Sequence, residues 1–465
     1  MENKHPVLTT DTIAAIATAH GVGAIAVIRL SGADSLLIIS NVFKPASKNF
    51  NITTVQSHTA HFGYIIYNNM VIDEVLLTVF IAPASYTGEN TVEISCHGSV
   101  YIQETILQLL VQHGARLAKP GEFTMRAFLN GKLDLSQAEA VADLIASRSE
   151  ASRRIAMQQM RGGFSDELKL LRTNLLGFIS LIELELDFSE EDVQFADRTQ
   201  LQNLISQIGE HINRMKNSFQ LGNVIKNGIP VAIAGEPNVG KSTLLNALLN
   251  DEKALVSEIA GTTRDAIEDT ITLNGILFRF IDTAGIRHTT DVVENMGIER
   301  TLQKIEKAEV IIYITDTDNP VNQEKFQELY LKHSHKKWIV VYNKSDLQNP
   351  VNLNTKGYPQ TVPVLHVSAK YKNNIQLLIN ELVNAVQLAK IDNNEIVITN
   401  LRHYQALQNA WQAIERVNYG IQTGISTDFL AQDIRQVLHF IGELTGEFTT
   451  DEILGNIFKN FCIGK

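Results

Sequence analysis

Hydrophobic and polar positions divide this chain into four stretches. GAIAVIRLSG (23–32) and NTVEISCHGS (90–99) are short apolar runs closed by glycine, which predicts strands. YIQETILQLLVQHGAR (101–116) repeats its apolar residues every three or four positions, the spacing of one helix face. Residues 1–125 therefore read as mixed α and β. AKPGEFTMRAFLNGKLDLSQAEA (118–140) reads as a loop leading into a helix, with Ser136 and Glu139 spaced as a capping box. Over 126–224 the helical period dominates. LKLLRTNLLGFISLIELELDF and LQNLISQIGEHINRMKNSF have the polar-faced helical pattern that builds bundles.

At Ile229 the pattern changes. IPVAIAGEPNVGKSTLLNALLN is an apolar strand, a glycine loop and a helix. FRFIDTAG, VIIYITD, KWIVVYNKSD and VPVLHVSAK follow as further strands, apolar throughout as parallel strands covered on both faces must be. Residues 389–465 are helical again and too short to bury a large core alone. The expected architecture is multidomain, α/β plus all-α. An N-terminal α+β domain (1–125) precedes a helical bundle made of 126–224 and 389–465, and an inserted doubly wound, mostly parallel P-loop domain (225–388) interrupts that bundle.

Bulk properties narrow the chemistry. The 465 residues are 44% hydrophobic and 20% charged, an ordinary globular balance. Acidic residues outnumber basic ones by 51 to 40, so any nucleic-acid contact must be a local patch rather than a whole-molecule field. Two cysteines, Cys96 and Cys462, make neither a disulfide framework nor a metal spacing, which fits a reducing cytoplasm. No signal peptide and no membrane-spanning run is expected. The ending FCIGK places a thiol where a prenylated end would have one, but Gly464 and Lys465 break that pattern.

GEPNVGKS (235–242) satisfies G-x-x-x-x-G-K-[ST] with a strand before it and a helix after it. Gly235 and Gly240 let backbone amides converge on phosphate oxygens, Lys241 neutralises the β- and γ-phosphates, and Ser242 can ligate Mg²⁺. In DTAG (282–285), Asp282 can hold Mg²⁺ through water and the Gly285 amide can meet the γ-phosphate. In NKSD (343–346), Asp346 can accept from guanine N1–H and the 2-amino group, a donor pair adenine lacks, while Asn343 and Lys344 brace the base and the P-loop. SAK (368–370) supplies a backbone contact to the guanine oxygen. Thr263, in SEIAGTTRD (257–265), can complete Mg²⁺ coordination only when a γ-phosphate is present. The candidate GTP-binding residues are thus Asn238, Val239, Gly240, Lys241, Ser242 and Thr243, then Ser257, Glu258, Ile259, Ala260, Gly261, Thr262 and Thr263, then Asp282, Thr283, Ala284 and Gly285, then Asn343, Lys344, Ser345 and Asp346, and finally Ser368, Ala369 and Lys370.

These words in this order, each at a strand's carboxyl end, resemble the translation-factor-related (TRAFAC) GTPases and imply a Ras-like fold over 225–388. The position that holds a water-orienting glutamine in Ras-type enzymes is Ile286, so the water must be oriented from elsewhere. The loop G-x-P-N-x-G-K-S, IAGTTRD, DTAGIR, the N-terminal words ATAHGVGAIAVIRLSG, SYTGENTVEISCHGS and PGEFTMRAFLNGKLDLSQAEA, and the final C-x-G-K resemble the MnmE (TrmE) family of tRNA-modification GTPases over the whole chain.

That resemblance implies K⁺ in place of an arginine finger, held by Asn238, Ser257, Ile259 and Thr262, with Glu294 orienting water and acting with Lys241 in catalysis. It implies a homodimer through an N-terminal domain that binds 5-formyl- or 5,10-methylene-tetrahydrofolate at Arg29, Glu89, Lys132 and Lys465. It also implies a heterotetramer with the FAD protein MnmG (GidA), acting on C5 of the tRNA wobble uridine. Cys462 is then either a reactive or substrate-facing thiol or a small buried hydrophobe. The alternative function is a ribosome-assembly switch of the Era/Der type, which shares the nucleotide motifs. A second G domain and a basic G-x-x-G pattern, which would favour it, are not found in the sequence.

Overall fold

The computed structural model describes residues 11–465 except 49, 53, 188–197, 250–268, 282–301, 317–319, 348–357, 387–395, 460 and 465. The strands run β1 Ile13–Ile16, β2 Ile25–Ser31, β3 Phe43–Pro45, β4 Thr59–Tyr67, β5 Met70–Phe80, β6 Thr91–His97, β7 Arg116–Leu117, β8 Ile229–Ala234, β9 Asp269–Leu273, β10 Ile276–Phe280, β11 Val310–Thr315, β12 Lys337–Tyr342 and β13 Val364–His366. The helices are α1 Ser35–Val42, α2 Val100–Gln112, α3 Glu122–Leu129, α4 Leu135–Ala146, α5 Glu150–Met160, α6 Gly163–Asp187, α7 Arg198–Asn217, α8 Phe219–Asn227, α9 Lys241–Leu249, α10 Pro320–Lys332, α11 Ile375–Ala385, α12 Leu401–Thr423, α13 Thr427–Thr445 and α14 Asp451–Phe458. The chain is a multidomain α/β and helical protein. Its contacts separate into two units: Met1–Ile145 with Met157–Leu204 and Ala413–Lys465, and Ala146–Ala156 with Ile205–Gln412.

The first unit holds a seven-stranded sheet in the order β3-β4-β5-β6-β2-β1-β7. Every pairing is antiparallel except β1 with β7. β5 alternates buried and exposed positions through Asp73, Val75, Leu77 and Val79, the signature of a sheet with one dry face. That face joins Ile28, Leu30 and Ile94 to Ile39 of α1 and Ile106 and Leu110 of α2. Elsewhere in the unit, α6 and α13 pack together and are tied by Arg435–Glu183 (2.7 Å).

Two local expectations need correction. The segment expected as a loop contains α3, which buries Phe123, Ala127 and Phe128 together with the polar Glu122, Thr124 and Arg126. Buried polar groups on both sides of the apolar ones hide the helical period. The next helix starts at Leu135, so Ser136 lies inside it and cannot cap it. The reciprocal pair is Asp134 and Gln137. Gln137 N donates to Asp134 Oδ1 (3.0 Å) while Asp134 N donates to Gln137 Oε1 (2.9 Å), the capping-box arrangement two residues earlier. Ser136 Oγ instead reaches Asp134 Oδ1 and Ser165 Oγ, both at 2.8 Å.

The second unit holds a six-stranded sheet, β13-β12-β11-β8-β10-β9. It is parallel except for the edge pair β9–β10. Along β11, Val310, Ile312 and Ile314 enter one core with Leu244 and Leu248 of α9 and Leu378 of α11. Ile311 and Tyr313 enter the other with Phe326 of α10 and Trp338. Burial on both faces explains the uninterrupted apolar text of β8, β11 and β12.

Candidate functional site

In the second unit, residues 235–242 turn between β8 and α9 at the carboxyl edge of the parallel strands. Three residues have positive φ there: Gly235 (146°), Asn238 (64°) and Gly240 (96°). The glycines are required twice over, because a Cβ on Gly235 would collide with the Ile314 carbonyl and one on Gly240 with the Asn343 side chain. The Lys241 ammonium folds back over the loop, donating to the carbonyls of Gly235 (3.0 Å) and Glu236 (2.6 Å). Burial and the neighbouring Lys304 charge pull its pKa below the usual lysine value, against an opposing pull from Glu236. Ser242 and Thr243 occupy the first turn of α9, where the helix dipole and unpaired amides favour an anion.

The NKSD and SAK segments close on this loop. Asn343 is buried and bridges both, its Nδ2 donating to Val239 O (2.9 Å) and its Oδ1 accepting from Ala369 N (3.0 Å). Lys344, at φ 59°, donates to Asn238 O (2.9 Å) and to Asp316 Oδ2 (2.6 Å). Ser368 Oγ donates to Asp346 Oδ1 (2.5 Å), and Ser345 N to Val367 O (3.1 Å), while Asp346 and Lys370 remain exposed. Direct bonds thus join Asn343 to Val239 and Ala369, Lys344 to Asn238, and Ser368 to Asp346. Ser257, Glu258, Ile259, Ala260, Gly261, Thr262, Thr263, Asp282, Thr283, Ala284, Gly285 and Glu294 lie outside the described residues.

Asn343→Ala is expected to leave one buried carbonyl and one buried amide unpartnered, lowering the stability of this unit by about 1–3 kcal/mol. Chemical denaturation of the full chain followed at Trp338 checks this, and an unchanged transition would refute the bridging role.

In the first unit, three of the four residues expected at the N-terminal site surround the loop 81–90. Glu89 is on it, Lys132 Nζ donates to Pro83 O (3.0 Å), and the Arg29 guanidinium lies 5.5 Å from the Tyr86 ring centre and 5.6 Å from that of Phe123. Arg29 also donates twice to Glu93 Oε1 (2.9 and 2.7 Å), its cross-strand partner. The loop is fastened to α3 and the turn after it by Tyr86–Thr124 (2.9 Å), Glu89–Arg126 and Asn130 Nδ2 to Thr87 O (2.7 Å).

Beneath Glu89 lies a dense charge cluster. Arg126, with only 2% of its side chain exposed, uses Nη1 for Asp11 O (2.9 Å) and both Glu89 oxygens (3.2 Å each), and Nη2 for Asp11 Oδ1 (2.8 Å) and Glu122 Oε1 (3.2 Å). Arg116 closes the ring onto Asp11 and Glu122, both at 2.6 Å. Ser31 Oγ donates to Glu89 Oε2 (2.8 Å).

The carboxyl-terminal segment docks on the same unit. Gly464 O accepts from Arg29 Nη1 (3.3 Å), Gly121 N donates to Cys462 O (3.4 Å), and Phe461 packs with Phe128 and Phe458. Gly464 has φ 93° and sits so close to the Ile16 carbonyl that no side chain fits. Cys462 itself is exposed, which removes the buried-hydrophobe reading, whereas Cys96 is buried in β6 with its thiol pushed up to about 11 by burial and the Asp73 charge. Lys465 lies outside the described residues. Among the described residues no group of three or more metal-ligating side chains occurs, and no helix is long and apolar enough to cross a membrane.

Comparison with known proteins bears on both units at once. The family model for the MnmE helical domain matches residues 135–462, and the model for the GTP-binding protein TrmE N-terminus matches 12–132. The tRNA modification GTPase MnmE of Flavobacterium johnsoniae is 54% identical over 98% of this chain and 100% of its own length. That of Bacteroides thetaiotaomicron is 52% identical over the same shares. The chain belongs to the MnmE family of tRNA modification GTPases. A solved G domain of the T. maritima FeoB iron transporter aligns with 34% of the chain and 99% of its own length at 24% identity and TM-score 0.26, too slight a likeness to carry weight.

In this MnmE-family chain, motif reading missed Arg126, Ser31, Asp11 and Asp316. Arg126 is 115 residues from Asp11 and 37 from Glu89, separations at which no local pattern signals a contact. Only Glu122, one helical turn before it, hinted that the arginine was paired.

Proposed function

We propose that this chain hydrolyses GTP and that hydrolysis drives addition of a carboxymethylaminomethyl or aminomethyl group to C5 of the tRNA wobble uridine, together with an FAD-dependent MnmG (GidA) partner. The observation that carries the reading is the 54% identity to a tRNA modification GTPase across 98% of the chain, which takes in both units rather than the nucleotide motifs alone. The residues have matching chemistry. Loop amides and Lys241 hold the phosphates, and Asp346, positioned through Ser368, reads guanine. Ser242 and Thr263 would hold Mg²⁺, a hard cation suited to hydroxyl oxygens, which when bound offsets phosphate charge. Asn238, Ser257, Ile259 and Thr262 would hold K⁺ in the same capacity, with Glu294 orienting water.

The N-terminal segment 1–125 would form a homodimer and bind 5-formyl- or 5,10-methylene-tetrahydrofolate, within a heterotetramer that includes MnmG in the cytoplasm. Segments 126–224 and 389–465 would form one helical domain interrupted by the G domain, 225–388. The donor set around loop 81–90 fits a folate. Glu89 offers a part-exposed carboxylate to a pterin edge, Arg29 and Lys132 offer cations to a glutamate tail, and Lys465, outside the described residues, would add a third.

Two measurements test this. Nucleoside analysis of tRNA from a deletion strain should show the wobble uridine without its C5 group, and intact modification would reject the proposal. GTP turnover should be fast in KCl and slow in NaCl, and equal rates would remove the K⁺ assignment.

A further inference from the structure

We propose that Lys325 of α10 is a positioning residue for nucleotide binding: it pairs with the Glu236 carboxylate, offsets the one acidic side chain in the phosphate loop, and so sets how tightly that loop holds GTP. This rests on the reading of residues 235–242 as the loop that receives the phosphates. Amides converging on a phosphate make a nest for negative charge, and a carboxylate built into the nest opposes it. GEPNVGKS carries one such group, at Glu236. Its charge is felt inside the loop. The Lys241 ammonium donates to the Glu236 carbonyl at 2.6 Å, and while burial and Lys304 lower its pKa, the Glu236 charge pulls the other way. The Tyr313 hydroxyl, on neighbouring β11, is pushed up to about 12 by burial and then by the same carboxylate.

Lys325 answers that charge. Its Nζ lies 2.7 Å from Glu236 Oε1, a contact across 89 residues of sequence. The next residue on α10, Phe326, is buried against Tyr313 and Trp338, with ring centres 5.3 and 5.4 Å away, so the helix holds the lysine stem in place. The Lys325 and Glu236 side chains are 57% and 35% exposed, and an ion pair this wet adds little to stability. Its effect falls on the ligand instead. Without the ammonium, a bare carboxylate stands in a loop that must receive a polyanion, and the repulsion scales with the ligand's charge. GTP carries more negative charge than GDP and should feel it more.

The test is titration of the full-length chain and its variants with GDP and with a non-hydrolysable GTP analogue, in low and high salt. Lys325→Ala should weaken binding of the GTP analogue about fivefold and of GDP less, and both losses should shrink in high salt. Turnover at saturating GTP should change by less than about twofold, since the pair acts on binding and not on the chemical step. Lys325→Arg should bind as wild type does, and Glu236→Gln should bind more tightly. The double variant, Glu236→Gln with Lys325→Ala, should return to within about twofold of wild type, because the charge to be offset is gone. If Lys325→Ala leaves the GTP analogue unaffected, or weakens both nucleotides equally whatever the salt, or if the double variant binds as poorly as the single one, the offsetting role is overturned. Lys241→Ala separates this from a failure of the loop reading. Binding undiminished in Lys241→Ala would remove the phosphate loop and the proposal with it, whereas binding lost in Lys241→Ala but kept in Lys325→Ala overturns the proposal alone.

Discussion

Lys241→Ala is expected to lower GTP hydrolysis by about 10²–10³-fold, the range seen when one preorganised charge-stabilising donor is removed from an active site. Lys241 is half-buried, and burial together with the Lys304 charge holds its pKa below the usual lysine value. Two of its donors rest on the Gly235 and Glu236 carbonyls at the mouth of the loop. A charge held there interacts with phosphoryl oxygens in a medium of low dielectric, where its effect is largest. Lys241→Arg should not rescue, because a planar fork cannot replace a point charge in a loop this closely packed. Single-turnover hydrolysis with saturating GTP measures the step directly. A rate for Lys241→Ala within tenfold of wild type would show that the lysine does not act on the phosphates.

Arg126→Ala is expected to destabilise the first unit by about 3–5 kcal/mol, because it leaves buried charge without its partner. That corresponds to a fall of roughly 10 °C in the midpoint of its melting transition. Glu122 and Asp11 would keep Arg116, while Glu89 would keep only the Ser31 hydroxyl among the partners described above. Acid should narrow the gap. Burial pushes the Glu122 pKa up, but hydrogen bonds from Arg116 and the Lys119 amide and the charges of Arg116 and Arg126 outweigh it, so its native value is depressed. A depressed carboxylate stabilises fully above its unfolded pKa, about 4.3, and loses that contribution as pH falls through the native value. As pH falls through the depressed native value of Glu122, the stabilisation that Arg126 lends it is lost in wild type and the difference between the two proteins narrows. Calorimetric scans of both proteins from neutral pH downward check the trend, and an Arg126→Ala transition equal to wild type at pH 7 would remove the basis for it.

The sequence was legible where a single physical cause dominates. β8, β11 and β12 are buried on both faces, so their letters are apolar without interruption, and the glycine loop between β8 and α9 has one backbone solution. It was less legible where causes compete. β9, DTITL, is an antiparallel edge strand with half-buried threonines and no apolar run to announce it. α3 mixes buried Glu122, Thr124 and Arg126 with buried aromatics, which erases its period. For the candidate sites, local words marked the turn between β8 and α9 and the NKSD and SAK segments that bond to it. The charge cluster under Glu89 did not show, because ion pairing between residues 11, 89, 122 and 126 follows from tertiary folding and leaves no spacing rule in the text.

The clasp between Arg29 and Gly464 joins residues 435 apart. A ribosome releases Arg29 early, and β1 and β2 can pair long before residue 464 is made. The aromatic-lined corner around that arginine stays open until residue 464 has been made. A stop between His366 and Gly464 would therefore yield a polypeptide with both sheets encoded and this corner open.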